Sequence, residues 1–399
     1  MNNIANSKNI LERLIADAHQ CGLSGEDKIA QLLYLTGTSR LLEKPISIAV
    51  KGTSSGGKSF TVNNVLAFFP PSAHYMVTSM SPKALFYSKE EFKHRHLVIA
   101  EAEGMEKAEY AIRSILSEGK LRHIVVENGV SRPVEKEGPM GLIITTTKIK
   151  VHSENETRML TVFILDTPEQ TRKVLMAMAS ESAKDFDYTA WHEFQKHLET
   201  CDNRVTIPFA TALVALIPPL SVRLRRDVQQ VLSLIKTHAI LHQQNRERDE
   251  QGRIVATLDD YAAIYRLVAD LISQGIEATV SDKMRETVEA VKTLTARHMG
   301  GVSYKAVSVF LGLDKSSAKR RCDDAIDRDY IRKNQTRKNQ PAQLVMGEPM
   351  PDDTTILPTP ETLQALFPED TDSGCKVARE HDNDDNEAHI VPQQANNQF

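Results

Sequence analysis

Cysteine is scarce in this chain: Cys21, Cys201, Cys322 and Cys375 among 399 residues, with no C-x-x-C pair. That scatter argues against a zinc site and a disulfide framework, leaving isolated reduced thiols. Long apolar runs are missing too; none reaches the roughly 18 residues of a membrane span. The opening MNNIANSKNILERL lacks the apolar block of a secretory leader. These absences predict a cytoplasmic protein with no membrane partner. There are no internal repeats.

What is present is ordinary globular composition, 41% hydrophobic and 26% charged. The net charge of −4 is unevenly spread. From Glu348 onward, 12 acids face only Lys376 and Arg379, so residues 1–347 carry +6. A basic body with an acidic tail suits a partner of nucleic acid, though the layout is not specific to one.

Along the chain, residues 1–45 read as N-terminal helices, NILERLIADAHQ and EDKIAQLLYLTGTSRLL, parted at Gly22 and Gly25. Over 46–166, short apolar runs (ISIAV, HYMVT, HLVIA, GLIITTT, TVFIL) alternate with helical stretches. That is the pattern of an α/β fold whose parallel sheet has crossover helices. Residues 167–284 read as helical, 285–340 as a compact second unit, and 341–399 as a disordered acidic tail. Within that tail LQALF suits a short docking helix or a chance apolar cluster.

One loop carries chemistry. Gly52-Thr53-Ser54-Ser55-Gly56-Gly57-Lys58-Ser59 fits G-x-x-x-x-G-K-[ST]. Glycines let backbone N–H groups close around a phosphate chain, and the following helix, with Phe60 in its first turn, adds its positive dipole end. Lys58 would reach the β- and γ-phosphates and the Ser59 hydroxyl would sit on Mg²⁺. Chance produces this pattern in a chain of this length roughly one time in a hundred. A strand before it and a helix after it lower that further, so the loop predicts ATP binding. Hydrolysis needs an acid at the end of a neighbouring strand. HLVIAEAEGM supplies Glu101 and Glu103, which otherwise read as solvated acids at a strand end.

IAEAEGM resembles the I-D-E-x-D-x-M of AAA+ ATPases of the minichromosome-maintenance-like (MCM-like) helicase type. The likeness spans roughly residues 25–335 and is nearest in kind to the helicase modules of phage, plasmid and integrative-element primase-helicases. It implies a P-loop AAA+ core with a helical lid, a C-terminal winged helix, and a ring, a hexamer in the family. Glu101 would be the catalytic base and Glu103 would share the metal. Ala100 departs from the family by replacing its metal-side aspartate. AIRSILSEGKLRHIVVENG resembles a pore-facing hairpin whose Lys120, Arg122 and Lys136 would track DNA; a solvated hairpin is the alternative. GLIITTTK resembles the sensor 1 strand, with Thr147 preferred over Thr145 and Thr146. ENETRMLTVFILD resembles the arginine-finger segment, with Arg158 acting on a neighbour's γ-phosphate; the alternative is a surface arginine paired with Glu154 or Glu156. SVRLRRDVQQ resembles the sensor 2 helix, with Arg223 as its arginine.

SYKAVSVFLGL followed by DKSSAKRRCDDAIDRDYI looks like a helix-turn-helix within a winged helix. Residues 297–338 hold 11 Lys and Arg against 5 acids. Lys315, Lys319, Arg320, Arg321 and Lys333 would meet DNA through phosphates more than base edges. The expected activity is an ATP-driven helicase on single-stranded or forked DNA in the replication of a mobile element or phage. The alternatives are a helicase loader or origin remodeller, and an ATP-binding regulator with a degenerate ATPase. The zinc-binding and catalytic region of a primase fusion is lacking, so a primase or replication initiator would be a separate partner.

Overall fold

The structure, a computed structural model, describes residues 4–77, 84–100, 109–127, 130–147, 158–164, 167–179, 185–219, 223–277, 282–296, 301–334, 343–348, 350 and 356–367. Two helices come first, α1 (Ile10–Gln20) and α2 (Asp27–Thr38). The α/β region follows: β1 (Ile48–Lys51), α3 (Lys58–Leu66), β2 (His74–Val77), α4 (Ala84–Tyr87), β3 (Arg95–Ile99), α5 (Glu109–Glu118), β4 (Leu121–Glu127), β5 (Val130–Lys136), β6 (Met140–Thr146) and β7 (Leu160–Phe163). The helical layer comprises α6 (Pro168–Ala179), α7 (Thr189–Thr200), β8 (Val205–Thr206), α8 (Ala210–Ala215), α9 (Leu224–Leu241), β9 (Ile254–Val255) and α10 (Leu258–Glu277). The last elements are α11 (Asp282–Thr295), α12 (Tyr304–Leu311), α13 (Lys315–Ile326), β10 (Ile331–Asn334), β11 (Gln343–Met346) and α14 (Pro360–Gln364).

Five strands form one parallel sheet in the order β2-β3-β6-β1-β7. Successive side chains of a strand point to opposite faces, and here both faces are covered. Ile48, Val50, Val98 and Ile143 pack with α1, α2, α3 and the helical layer. Ala49, Leu97, Ile99, Leu142 and Ile144 pack with Ala111, Ile112 and Ile115 of α5. Double burial explains why these strands read as continuous apolar runs instead of alternating ones.

The first 45 residues do not stand apart. Ile10, Leu14, Leu32 and Leu35 share one core with β1 and with Trp191, Phe194, Leu234 and Ile264 of the helical layer. Tyr34 meets Trp191 edge-on at 5.5 Å between ring centroids. Sheet and helices therefore form a single body.

Residues 282–346 have a core of their own, including Val288, Val291, Val307, Cys322, Ile331 and Leu344. The turn between α12 and α13 is set locally. Gly312 ends α12 in the left-handed region, and the Asp314 side chain accepts the N–H groups of Ser316 and Ser317 at 2.9 and 3.0 Å.

The boundary at 340/341 is wrong on two counts. β11 pairs antiparallel with β10, so the C-terminal unit runs to Met346. Further on, Ile356, Leu357 and Leu363 are fully enclosed in the main core. LQALF is thus the end of a docked segment, held by Leu363, and no chance apolar cluster. Residues 368–399 lie outside the described residues. No described helix is long and apolar enough to cross a membrane.

Candidate nucleotide site

All five strands are parallel, so their carboxyl ends share one edge. β1 is the central reference, fully buried from Ile48 to Lys51. The chain after β1 crosses to β2, β3 and β6 on one side and reaches β7 on the other. A crevice at such a reversal of strand order is where ligands bind in open α/β sheets.

The loop at that crevice has the backbone the motif requires. Ser55 and Gly57 take φ of 64° and 84°, in the left-handed region. Gly56 donates to the Thr53 carbonyl at 3.2 Å, closing the turn. Gly52 has a packing reason: a Cβ there would stand 3.2 Å from Cβ of Ile164. Gly57 then starts α3 without a side-chain cap. The first N–H groups of a helix lack intrahelical partners, so they remain for an anion. Lys58 is buried and arches back over its own loop, donating to the carbonyls of Gly52 at 3.0 Å and Thr53 at 2.5 Å. Thr53, Ser54, Ser59 and Phe60 are exposed. An exposed Ser59 hydroxyl in the first helical turn suits one position on Mg²⁺.

Register places the remaining candidates of this edge. Lys51 pairs with Thr146 of β6, so Thr147 stands level with Gly52. Thr145 and Thr146 are buried, and Thr147 is exposed. Ile99 of β3 pairs with Ile144. The chain thus leaves β3 two strands from the loop, about 10 Å away at ordinary strand spacing. Ala100 donates to the Val77 carbonyl at 3.1 Å. Glu101 and Glu103 lie outside the described residues.

Arg158 is elsewhere. Leu160 pairs with Ile48, so Arg158 precedes β7 at the amino edge of the sheet. Six residues of strand separate that level from Gly52, about 20 Å at ~3.3 Å each. Arg158 Nη1 donates to Ser117 Oγ, and Gln230 of α9 donates to the Arg158 carbonyl at 3.3 Å. A cleft of about 890 Å³ lies near this amino edge, lined in part by Lys44, Lys93, Arg95, Glu91 and Lys236. Its mixed charges specify no single ligand, and it is remote from the phosphate loop.

Arg223 caps the start of α9, in the helical layer. Its Nε lies 3.2 Å from Oδ2 of Asp227, one turn on. Burial pushes the Asp227 carboxyl up in pKa, against the pull of Arg223. Gly275 of α10 lies against the guanidinium. No motif marks Gly275; its signal in sequence is a glycine inside a helical pattern, which costs ~1 kcal/mol against alanine and implies a packing reason.

The basic candidates divide. On the β4–β5 hairpin, Lys120 and Arg122 both pair with Glu135, at 3.2 and 3.0 Å. Hydrogen bonds from Arg122 and then Lys120 hold the Glu135 carboxyl below its usual range. Lys136 Nζ donates to the carbonyls of Ser88 and Glu90. In the C-terminal unit Arg321 pairs with Glu286 and Lys333 with Asp323, each at 3.2 Å. Lys315, Lys319 and Arg320 are exposed on the first half of α13.

The parallel sheet and its glycine-rich loop define a P-loop domain, a fold suited to nucleotide binding. Residues 2–200 match the family model described as the MTBMA_p00010 P-loop domain. No curated protein matches the chain.

Proposed function

We propose that this chain is an AAA+ ATPase of the MCM-like helicase type, working as a ring, in the family a hexamer, that moves on DNA during replication of a mobile element. The observation that carries the reading is the separation of Arg158 from the phosphate loop. An arginine about 20 Å from its own loop, at the opposite edge of the sheet, cannot touch its own γ-phosphate. The amino edge of one subunit set against the carboxyl edge of the next would bring the two together. In that arrangement Lys58 and the N–H groups of the loop hold the phosphates, and Ser59 with Glu101 and Glu103 holds Mg²⁺. Glu101 orients the attacking water, Thr147 and Arg223 sense the γ-phosphate, and Arg158 of the next subunit stabilises the charge of the transition state.

The C-terminal unit, three helices followed by a two-stranded wing, is read as a winged helix that grips DNA phosphates through Lys315, Lys319 and Arg320. One observation favours the second reading, a loader or ATP-binding regulator. The hairpin expected to push on DNA has its Lys120 and Arg122 both tied to Glu135, whose one negative charge offsets half of theirs.

The test is ATP turnover with and without single-stranded DNA, together with fork unwinding. Wild type, Lys58→Ala and Arg158→Ala are compared. Each variant alone should lose at least about a hundredfold of the stimulated rate. Mixing the two should restore part of it, because mixed interfaces pair an intact loop with an intact arginine. Absence of rescue in normally assembled rings overturns the shared site. Turnover without unwinding selects the loader, and nucleotide binding with almost no turnover selects the regulator.

A further inference from the structure

Helix α10 is gripped from two directions. On one side lies Arg223. A methyl group on Gly275 would stand 3.0 Å from Nη2 and 3.2 Å from Cζ of that arginine, closer than carbon ordinarily approaches. The bare backbone at Gly275 is therefore the seat of the guanidinium, while Asp227 holds Nε from within α9. On the other side lies the segment 356–363. The Ile356 N–H donates to Ser273 Oγ at 3.3 Å, and Tyr261 Oη donates to the Pro358 carbonyl at 2.5 Å. Ile356, Leu357 and Leu363 are 2%, 1% and 0% exposed. Thr359 caps α14 by accepting the Thr362 N–H, and Pro360 occupies its first turn, so the local sequence favours the docked conformation.

Ser273 and Gly275 are two residues apart, within one turn of the same helix. A segment that fixes Ser273 also fixes the backbone on which Arg223 rests. We propose that Gly275 and the C-terminal segment 356–363 are positioning elements for Arg223: the segment holds α10, and the uncovered backbone at Gly275 sets where the guanidinium points. The proposal rests on Arg223 being the nucleotide-sensing arginine and names what controls it. It also assigns a part in the ATPase to residues that composition places in a tail.

The test is a double-mutant cycle on the full-length chain, reading kcat and KM for ATP. Arg223→Ala, Gly275→Ala and Ile356→Ala are measured alone, and each of the last two in the Arg223→Ala background. Gly275→Ala should lower kcat about tenfold with KM within about twofold, as expected of a group displaced by a few tenths of an ångström. Alanine is the better helix former, so a merely structural role would leave kcat alone or stabilise the fold. Ile356→Ala should act in the same direction. In the Arg223→Ala background neither should cost more than about twofold, because the arginine they position is gone. Should Ile356→Ala lose its fold, Gly275→Ala decides alone. Wild-type kcat in Gly275→Ala, or an equal loss in both backgrounds, overturns the seat while leaving Arg223 its role. Wild-type turnover in Arg223→Ala overturns the sensing role and the positioning with it.

Discussion

The body and the C-terminal unit handle charge in opposite ways. The body buries it. Arg40, Lys51, Lys58, His96, Asp227, His238, His242 and Asp260 are all enclosed. In the unit spanning 282–346, the buried polar side chains among the described residues are the hydroxyls of Thr287 and Ser308. Its cations stay at the surface. Buried charges are costly unless fully partnered, and their partners then hold backbone segments in one geometry. Exposed cations cost little to keep and stand where they can meet phosphates. On the proposed function, the difference suits a body that must hold a loop and two arginines in register, and an appendage that must only adhere.

Asp260 breaks the comparison hardest. It is 0% exposed and accepts from His238 at 2.7 Å, from Arg246 at 2.7 and 3.0 Å, and from the Thr257 N–H at 2.8 Å. Asp260→Ala leaves a buried imidazole and a guanidinium without their carboxylate, an expected loss of about 3–5 kcal/mol in urea unfolding. Arg321→Ala, which breaks the pair with Glu286 in the C-terminal unit, should cost under about 1 kcal/mol, because that pair is half open to water. Equal losses would mean that the two regions do not differ in this way.

The next largest effect belongs to α13. Replacing Lys315, Lys319 and Arg320 together by alanine should weaken DNA binding about 30- to 100-fold near 100 mM salt. It should also reduce the slope of log K against log salt by about 3. Fluorescence anisotropy across a salt series reads both, and melting temperature should stay put because the residues are exposed.

How much of this was legible from the chain follows from the same contrast. The phosphate loop stood out because its glycines, lysine and serine are needed at fixed offsets for a local backbone reason. The strands stood out because both faces are buried. The segment 356–363 did not. Three apolar anchors among prolines, threonines and acids are diluted by any compositional window, although Thr359 and Pro360 are helix-start signals. Arg122 looked like a free cation because its partner, Glu135, is 13 residues on and becomes its direct neighbour only through the hairpin register. The seat of Arg223 at Gly275 needs two helices brought together, which no local pattern reports. Glu101 and Glu103 rest on the sequence alone.

Acid should separate body from appendage more gently. Burial pushes His242 down to about 3 and His96 to about 4. Both imidazoles fold neutral, so the unfolded chain binds more protons between those values and about 6.5. Stability is therefore fully present above that range and is lost as pH falls through it. Between pH 7.5 and 5.5 each should cost about 1 kcal/mol. His242→Gln should remove one such share of the acid sensitivity in urea midpoints at the two pH values. A slope unchanged by the substitution would show that His242 does not carry it.

The smallest expected effect is at the hairpin, and it is the sharpest test of the comparison. If Glu135 holds Lys120 and Arg122 in pairs and offsets one of their two charges, replacing both cations by alanine should cost less than the α13 triple, and DNA affinity should fall less than about tenfold. The informative variant is Glu135→Gln. It keeps shape and polarity while releasing two cations, one 60% exposed and the other 38%. Affinity at low salt should then rise a few-fold, and the salt slope should steepen by about 1, for the one negative charge removed. A hairpin that holds DNA with its cations as they stand gives the opposite pattern. The alanine pair would then cost as much as the α13 triple, and Glu135→Gln would change nothing. The relative size of these two results decides whether the body touches nucleic acid through this hairpin or leaves that contact to α13.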